Sequence, residues 1–261
     1  TTMLLVPTLL RRLLQLPDTD APLLGALTRL LSTGAVLHPD ERAAVMANLH
    51  PEFINYYGST EGGGITVLLP EHQGLAAASV GEPVFATEVQ VVDENDAAVA
   101  AGEAGLVRYR GPAVADSFYK DPEASEEAFH DGWFYPGDIG KLDGDGRLYL
   151  VGRAKDVIIR AGVNIYPGEI EQVLIAHRMV RDAAVVGWPS PMMGEEVAAY
   201  VVTDGETDME ALRALCRDQL APYKVPKQIF ALAELPKSPL GKVLKPELVA
   251  QLPRLDKETS S

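Results

Sequence analysis

Tyr57-Gly58-Ser59-Thr60-Glu61 follows Glu52-Phe53-Ile54-Asn55-Tyr56, and residues 52–57 read as a strand that ends at Gly58. That places Ser59, Thr60 and Glu61 at the strand end or in the loop beyond it. Loops at strand ends are where α/β proteins put ligand chemistry. On each side the chain mixes helical stretches with short strands. Leucines at helical spacing run from Thr8 to Leu16, and a second amphipathic run covers Pro39 to Leu49.

Further along, the texture changes to short strands between turns. Thr87–Val92, Gly105–Tyr109 and Arg147–Val151 read as strands, with Asp93-Glu94-Asn95-Asp96 and Asp143-Gly144-Asp145-Gly146 as hairpin turns. The second turn has some of the look of a calcium loop but lacks its full acidic spacing and final glutamate. After Lys155 a separate pattern begins. Pro167 opens a helix to about Met179, with Glu169 and Glu171 expected to face its dipole. Strands follow at Asp182–Trp188 and Glu196–Thr203, then a helix at Asp208–Leu220 capped by Asp208, then a strand at Gln228–Leu232. The strongest boundary falls at Gly152–Asp156.

The 261 residues are 47% apolar and 23% charged, a globular composition with room for two domains or one large one. With 23 basic and 37 acidic residues the formal charge is −14, which disfavours nonspecific binding to nucleic acid or to an anionic membrane. An anionic ligand would need a local cationic cluster; Arg153, Lys155 and Arg160 form one candidate, and Lys237, Lys242 and Lys245 another. The single cysteine, Cys216, excludes an internal disulfide framework and reads as a small buried hydrophobe. The histidines show no metal-ligand spacing. No apolar run reaches the roughly 20 residues that span a bilayer, and no signal peptide opens the chain, so a cytoplasmic protein is expected. Thr1 opens the chain within an apolar pattern and without methionine, which reads as a fragment.

Four further segments belong with residues 57–61: Tyr135-Pro136-Gly137-Asp138, Gly152-Arg153-Ala154-Lys155-Asp156, the run from Asn164 to Glu171, and the run from Pro236 to Lys242. In this order they resemble the second half of the adenylate-forming enzymes, the superfamily of acyl-CoA synthetases, peptide-synthetase adenylation domains and firefly luciferase. The resemblance covers about residues 1–250. The Gly-rich, Ser/Thr-rich phosphate loop that the superfamily carries upstream is not in this chain.

The resemblance implies a multidomain α and β fold. A partial α/β plus β-barrel-like large domain would occupy residues 1–153, with an α/β segment at 1–75 and a strand-rich segment at 80–152. A small α+β C-terminal lid domain would occupy 154–261. It also implies roles. Thr60 would hydrogen-bond the α-phosphate and Glu61 would coordinate Mg2+. Tyr57 would stack on adenine, with Gly58 and Ser59 beside it, and the loop Ser32-Thr33-Gly34-Ala35 would line the base's other side. Asp138 and Arg153 would hold the ribose, although the superfamily's usual Thr-Gly-Asp is here Pro136-Gly137-Asp138. Lys155 would be the hinge, Ala161 and Gly162 would face coenzyme A, and Asn164 would approach the nucleotide. Lys242, in a turn made by Pro239-Leu240-Gly241, would be the catalytic lysine. Plainer readings stay open: Tyr57 as a core ring beside Tyr56, Thr60 capping a turn with Glu61 solvated, Asp138 and Arg153 in surface ion pairs, Lys242 as a solvated lysine.

The implied reaction joins a carboxylic acid to ATP and then to the thiol of coenzyme A, with Mg2+ and with AMP as product. A separate carrier protein could replace coenzyme A as acceptor. The fragment would need the missing N-terminal half of the enzyme to react, and alone it would be a noncatalytic folding unit. The acid is not legible, and a homodimer is left open.

Overall fold

A computed structural model of the chain describes residues 1–17, 22–74, 78–238 and 241–253. Two compact units divide between Leu150 and Val151.

The first unit opens with a βαβαβ segment: β1 (Thr2–Leu5), α1 (Pro7–Leu13), β2 (Arg29–Ser32), α2 (Pro39–Asn48) and β3 (Phe53–Ser59). Proline stands at the first position of both helices, where its missing N–H would have found no intrahelical acceptor. The Glu41 carboxylate in the first turn of α2 accepts from the His38 backbone N–H at 2.8 Å. The three strands run parallel, joined by helical crossovers as parallel pairing requires. Leu10, Leu30, Val45, Leu49 and Phe53 close the core between sheet and helices. Strands β4 (Gly63–Leu68) and β5 (Glu82–Pro83) extend the sheet antiparallel.

The rest of the unit contributes β6 (Glu88–Val92), β7 (Gly105–Arg110), α3 (Pro122–Ala128), β8 (Phe129–His130), β9 (Trp133–Phe134), β10 (Asp138–Leu142) and the first half of β11 (Leu148–Arg153), within which the division falls. Their order is β11-β10-β7-β9-β8, with β6 on the other edge of β7. Among the described residues these pairings form an open path rather than a closed barrel. The expected hairpin turns are Asx turns: the Asp93 carboxylate accepts from the backbone of Asn95 and Ala97, and that of Asp143 from Asp145 and Arg147. Ile65 of the first sheet packs with Val89, Val107, Tyr109, Phe134 and Leu148 of the second, so the two sheets share one core.

In the second unit, β12 (Ile158–Arg160), β13 (Val163–Ile165), α4 (Pro167–Ile175), β14 (Val180–Ser190), β15 (Gly194–Thr203), α5 (Met209–Gln219), β16 (Gln228–Ala231) and α6 (Lys245–Val249) form a sheet of order β13-β12-β15-β14, with β16 parallel to β15. Both sheet faces are buried. Val185, Val197, Ala199 and Val201 meet α4 and α5, while Val186, Trp188, Ala198 and Tyr200 meet Leu235 and Leu248. Two buried faces explain why β14 and β15 read as continuous apolar runs. Cys216 lies fully buried on α5, and burial pushes its thiol up to about 11.

The helix expected to reach Met179 ends at Ile175, because β14 begins at Val180. Nor does Glu171 serve the helix dipole. Its carboxylate accepts from the Val185 backbone N–H at 2.8 Å and pairs with Lys245 at 2.8 Å, fastening α4 to β14 and α6. Glu169 likewise pairs with Lys224. Leu174 is fully buried in the face shared by α4, α5 and the sheet. Leu174→Ala should therefore cost roughly 2–5 kcal/mol of unfolding free energy in a denaturant titration. A loss under about 1 kcal/mol would contradict this core assignment.

Candidate functional site

Strands β1 and β2 end level at their carboxyl edge, with Leu5 opposite Ser32, while β3 runs on from Asn55, opposite Ser32, to Ser59. The Ser32–Ala35 segment therefore leaves β2 level with Asn55, two residues before Tyr57 on β3. Gly34 turns it with φ +96°, a conformation that favours glycine. The Ser32 hydroxyl is buried and has no hydrogen-bond partner among the described residues. Gly34 is exposed and Ala35 half-buried.

The strand expected to stop at Gly58 continues to Ser59 and then turns through Thr60, Glu61 and Gly62 into β4. Glycines make this hairpin tight. A Cβ on Gly58 would strike the Gly63 carbonyl, one on Gly62 the Tyr109 phenol, and one on Gly64 the Tyr56 hydroxyl. The Gly62 N–H donates to the Ser59 hydroxyl at 3.0 Å, and the Ala115 N–H donates to the Glu61 carbonyl at 2.7 Å. Thr60 is exposed and Glu61 half-buried.

Asp138 opens β10 after Gly137 (φ +74°) and is 8% exposed. The Tyr57 hydroxyl donates to its carboxylate at 2.5 Å, which ties the end of β3 to the start of β10. Tyr109, on β7, lies within 3.0 Å of the Ser59 hydroxyl. Its phenol pKa is raised, chiefly by burial; the Ser59 hydrogen bond opposes this, and the charges of Glu61 and Asp138 add to it. Tyr57, Ser59, Glu61, Tyr109 and Asp138 thus form one cluster in the first unit. The sequence had not singled out Tyr109. Its only trace was the glycine run 62–64, a sign of close approach by another group.

In the second unit, Arg153 ends β11 and Lys155 lies on the 3-10 turn Ala154–Asp156; both are exposed. Ala161 (φ +50°) and Gly162 (φ +82°) form a two-residue turn between β12 and β13, fully exposed, with nothing within 4 Å of where a Gly162 Cβ would sit. Asn164, opposite Ile159 in that hairpin, is exposed too. Lys242 is exposed on a loop closed by Ser238 N–H to the Lys242 carbonyl (2.8 Å) and by Lys242 N–H to the Ser238 hydroxyl (3.2 Å). Pro239 and Leu240, expected to shape this turn, lie outside the described residues.

Neither cationic trio is available as a whole. Arg160 pairs with Glu196 (2.6 Å), Lys237 with Asp182 (2.5 Å) and Lys245 with Glu171 (2.8 Å). These carboxylates neutralise three of the six cations within the unit's own framework. Among the described residues no group of His, Cys, Asp and Glu could by itself enclose a metal ion, and no helix is long and apolar enough to cross a membrane.

Two family profiles match the chain: AMP-binding enzyme over residues 1–119 and AMP-binding enzyme C-terminal domain over residues 169–242. The long-chain-fatty-acid–CoA ligase of Salmonella typhimurium is 43% identical over 193 residues, covering 74% of this chain and 34% of that protein. The sulfoacetate–CoA ligase of Cupriavidus necator is 38% identical over 248 residues, covering 94% and 48%. Among solved structures, the amide bond synthetase of Marinactinospora thermotolerans superposes with a TM-score of 0.88 at 33% identity, over 96% of this chain and 52% of that one. The o-succinylbenzoate CoA synthetase of Bacillus subtilis in complex with AMP gives 0.81 at 30% identity, over 97% and 51%. The chain spans about a third to a half of the length of these relatives.

Because the Tyr109 ring is buried and the hairpin fixes Gly62, neither can yield cheaply to an added methyl group. Gly62→Ala should cost on the order of 1–3 kcal/mol in a denaturant titration. An unchanged midpoint would show that the hairpin is looser than its packing indicates.

Proposed function

The chain belongs to the AMP-binding, adenylate-forming enzymes, and from that membership we propose that it supplies the nucleotide-holding and catalytic-lysine segments of an ATP-dependent carboxylic acid–CoA ligase. The proposal concerns the chain together with the part of its relatives that it does not span. Acid and ATP would give an acyl adenylate and pyrophosphate, and the thiolate of coenzyme A would then displace AMP. The observation that carries the reading is the cluster in the first unit, where the Tyr57–Asp138 hydrogen bond sets an aromatic face and a carboxylate next to the Thr60–Glu61 turn.

In this reading the Asp138 carboxylate accepts from both ribose hydroxyls, Tyr57 and the Ser32–Ala35 segment flank the base, and the Thr60 hydroxyl donates to the α-phosphate. Both reactants are anionic, so the reaction needs positive charge where the pentavalent phosphorus forms. Mg2+ would supply part of it. Glu61 offers a single carboxylate on a solvent-facing turn, with no metal-enclosing cluster around it among the described residues. That suits an ion held mostly by phosphates and water rather than by a protein cage. Lys242 supplies the remaining charge. Lys242 is exposed, and no ion pair engages it among the described residues, unlike Lys237 and Lys245. Arg153 assists at the ribose, Asn164 lies toward the nucleotide, Lys155 serves as the pivot, and the Ala161-Gly162 turn faces the thiol.

Two measurements check the assignment. Asp138→Ala should weaken AMP binding to the chain by about 10- to 100-fold while leaving 2′,3′-dideoxy-AMP unaffected, because the lost hydrogen bonds are to the ribose hydroxyls and involve a charged acceptor. Equal loss for both ligands would remove Asp138 from the ribose. Pyrophosphate release from ATP, assayed with a panel of carboxylic acids, should be absent for the chain alone. It should appear when the remaining half of a curated relative is supplied in trans. In that reconstituted protein Lys242→Ala should slow acyl-adenylate formation by about 100- to 1,000-fold yet spare thioester formation from preformed acyl adenylate. Equal loss of both half-reactions would overturn the role given to Lys242.

A further inference from the structure

We propose that Tyr109 is a positioning residue: through Ser59 it fixes the turn that presents Thr60 and Glu61. The proposal rests on the nucleotide reading above and adds to it a residue from outside the motif, 50 positions away in sequence.

Tyr109 is fully buried on β7, its ring edge-on to Phe134 at 5.3 Å between centroids. A ring held this way has no freedom to follow the hairpin, so the hairpin must conform to the ring. Contact occurs at two points of the turn. The phenol hydroxyl lies 3.0 Å from the Ser59 hydroxyl, and Gly62 packs so closely on the ring that a Cβ there would overlap it. Ser59 is also the acceptor for the Gly62 N–H at 3.0 Å, which closes the turn over Thr60 and Glu61. The Tyr109 hydroxyl, the Ser59 hydroxyl and the Gly62 amide therefore form one chain of hydrogen bonds, with Thr60 and Glu61 enclosed by its span.

The phenol also holds its proton, since burial and the nearby Glu61 and Asp138 charges disfavour the phenolate. It can thus donate to Ser59 throughout the neutral range. The Gly62 N–H donates to the same Ser59 hydroxyl, so the serine links ring and turn whichever hydroxyl donates between them. An alternative is that Tyr109 is only a large core side chain. That predicts a general loss of stability on perturbation, with no ligand dependence.

Tyr109→Phe separates the two, because it keeps the ring and removes only the hydroxyl. The test uses the full chain with AMP and adenosine as probes, since only AMP carries the phosphate that Thr60 would meet. The affinity ratio of AMP over adenosine should fall about five- to tenfold, the scale of one hydrogen bond, while adenosine affinity holds. Hydrogen exchange at the Gly62 amide should quicken about tenfold or more, with exchange in β7 unchanged. An unaltered ratio, or equal loss of both ligands, would overturn the proposal, as would unchanged Gly62 exchange. If the wild-type chain binds neither probe, the nucleotide reading falls, and the exchange arm alone still decides whether Tyr109 holds the turn. Should Tyr109→Phe fail to fold, Ser59→Ala breaks the same link and must give the same fall in the AMP-to-adenosine ratio.

Discussion

The hydrogen bond from the Tyr57 hydroxyl to the Asp138 carboxylate joins two sheets with different jobs. One is a mixed sheet with three parallel strands, β1 to β3, and the carboxyl ends of such strands are the usual place for a ligand in α/β architecture. The other is antiparallel and supplies rigid, buried rings. A bulge between Tyr57 and Gly58 bends β3 at the junction, and Ser59 then continues to Tyr109. Without this joint, Thr60 and Glu61 would sit on a free hairpin rather than on a braced one. The glycines of the hairpin follow from the same joint, because bracing by rings leaves no room for side chains.

Charge is arranged with similar economy. A chain of net charge −14 is a poor general host for nucleotides, so cations must be committed selectively. Three of the six candidate lysines and arginines in the second unit are consumed in fastening elements: Arg160 at Glu196, Lys237 at Asp182, and Lys245 between Glu171 and the Val185 carbonyl. Half-buried pairs of this kind offset the desolvation of their partners and leave little net field outside. Lys242, exposed on its loop, is left as a charge that can act on something other than the protein.

Much of this was legible in the chain itself. The apolar runs of β14 and β15, the Asp208 cap and the Asx turns at Asp93 and Asp143 all have local causes. The failures are nonlocal. Glu169 does stand in the first turn of α4, but Glu171 looked like a second partner of the helix dipole because a sequence does not show Lys245 or the Val185 amide arriving from far along the chain. Lys237 and Lys245 looked like members of a cationic patch for the same reason. Tyr109 was invisible: nothing near it in sequence states that its hydroxyl meets Ser59. Motif residues can be proposed from a sequence because a resemblance carries them. Residues that support them are fixed only by packing.

The sheet in the second unit has no solvent face to spare. Trp188 donates through its indole N–H to the Pro253 carbonyl at 2.7 Å, the Tyr200 hydroxyl donates to the Leu248 carbonyl at 3.0 Å, and Leu248 is fully buried. Residues 243–253 therefore form a wall of the domain. The lysine's loop is anchored on one side by Leu235 and on the other by Leu248, both in the same hydrophobic layer. Any lengthening, deletion or swap that moved the lysine by more than its own loop allows would also peel the cover from that layer, so its reach and the domain's integrity must change together.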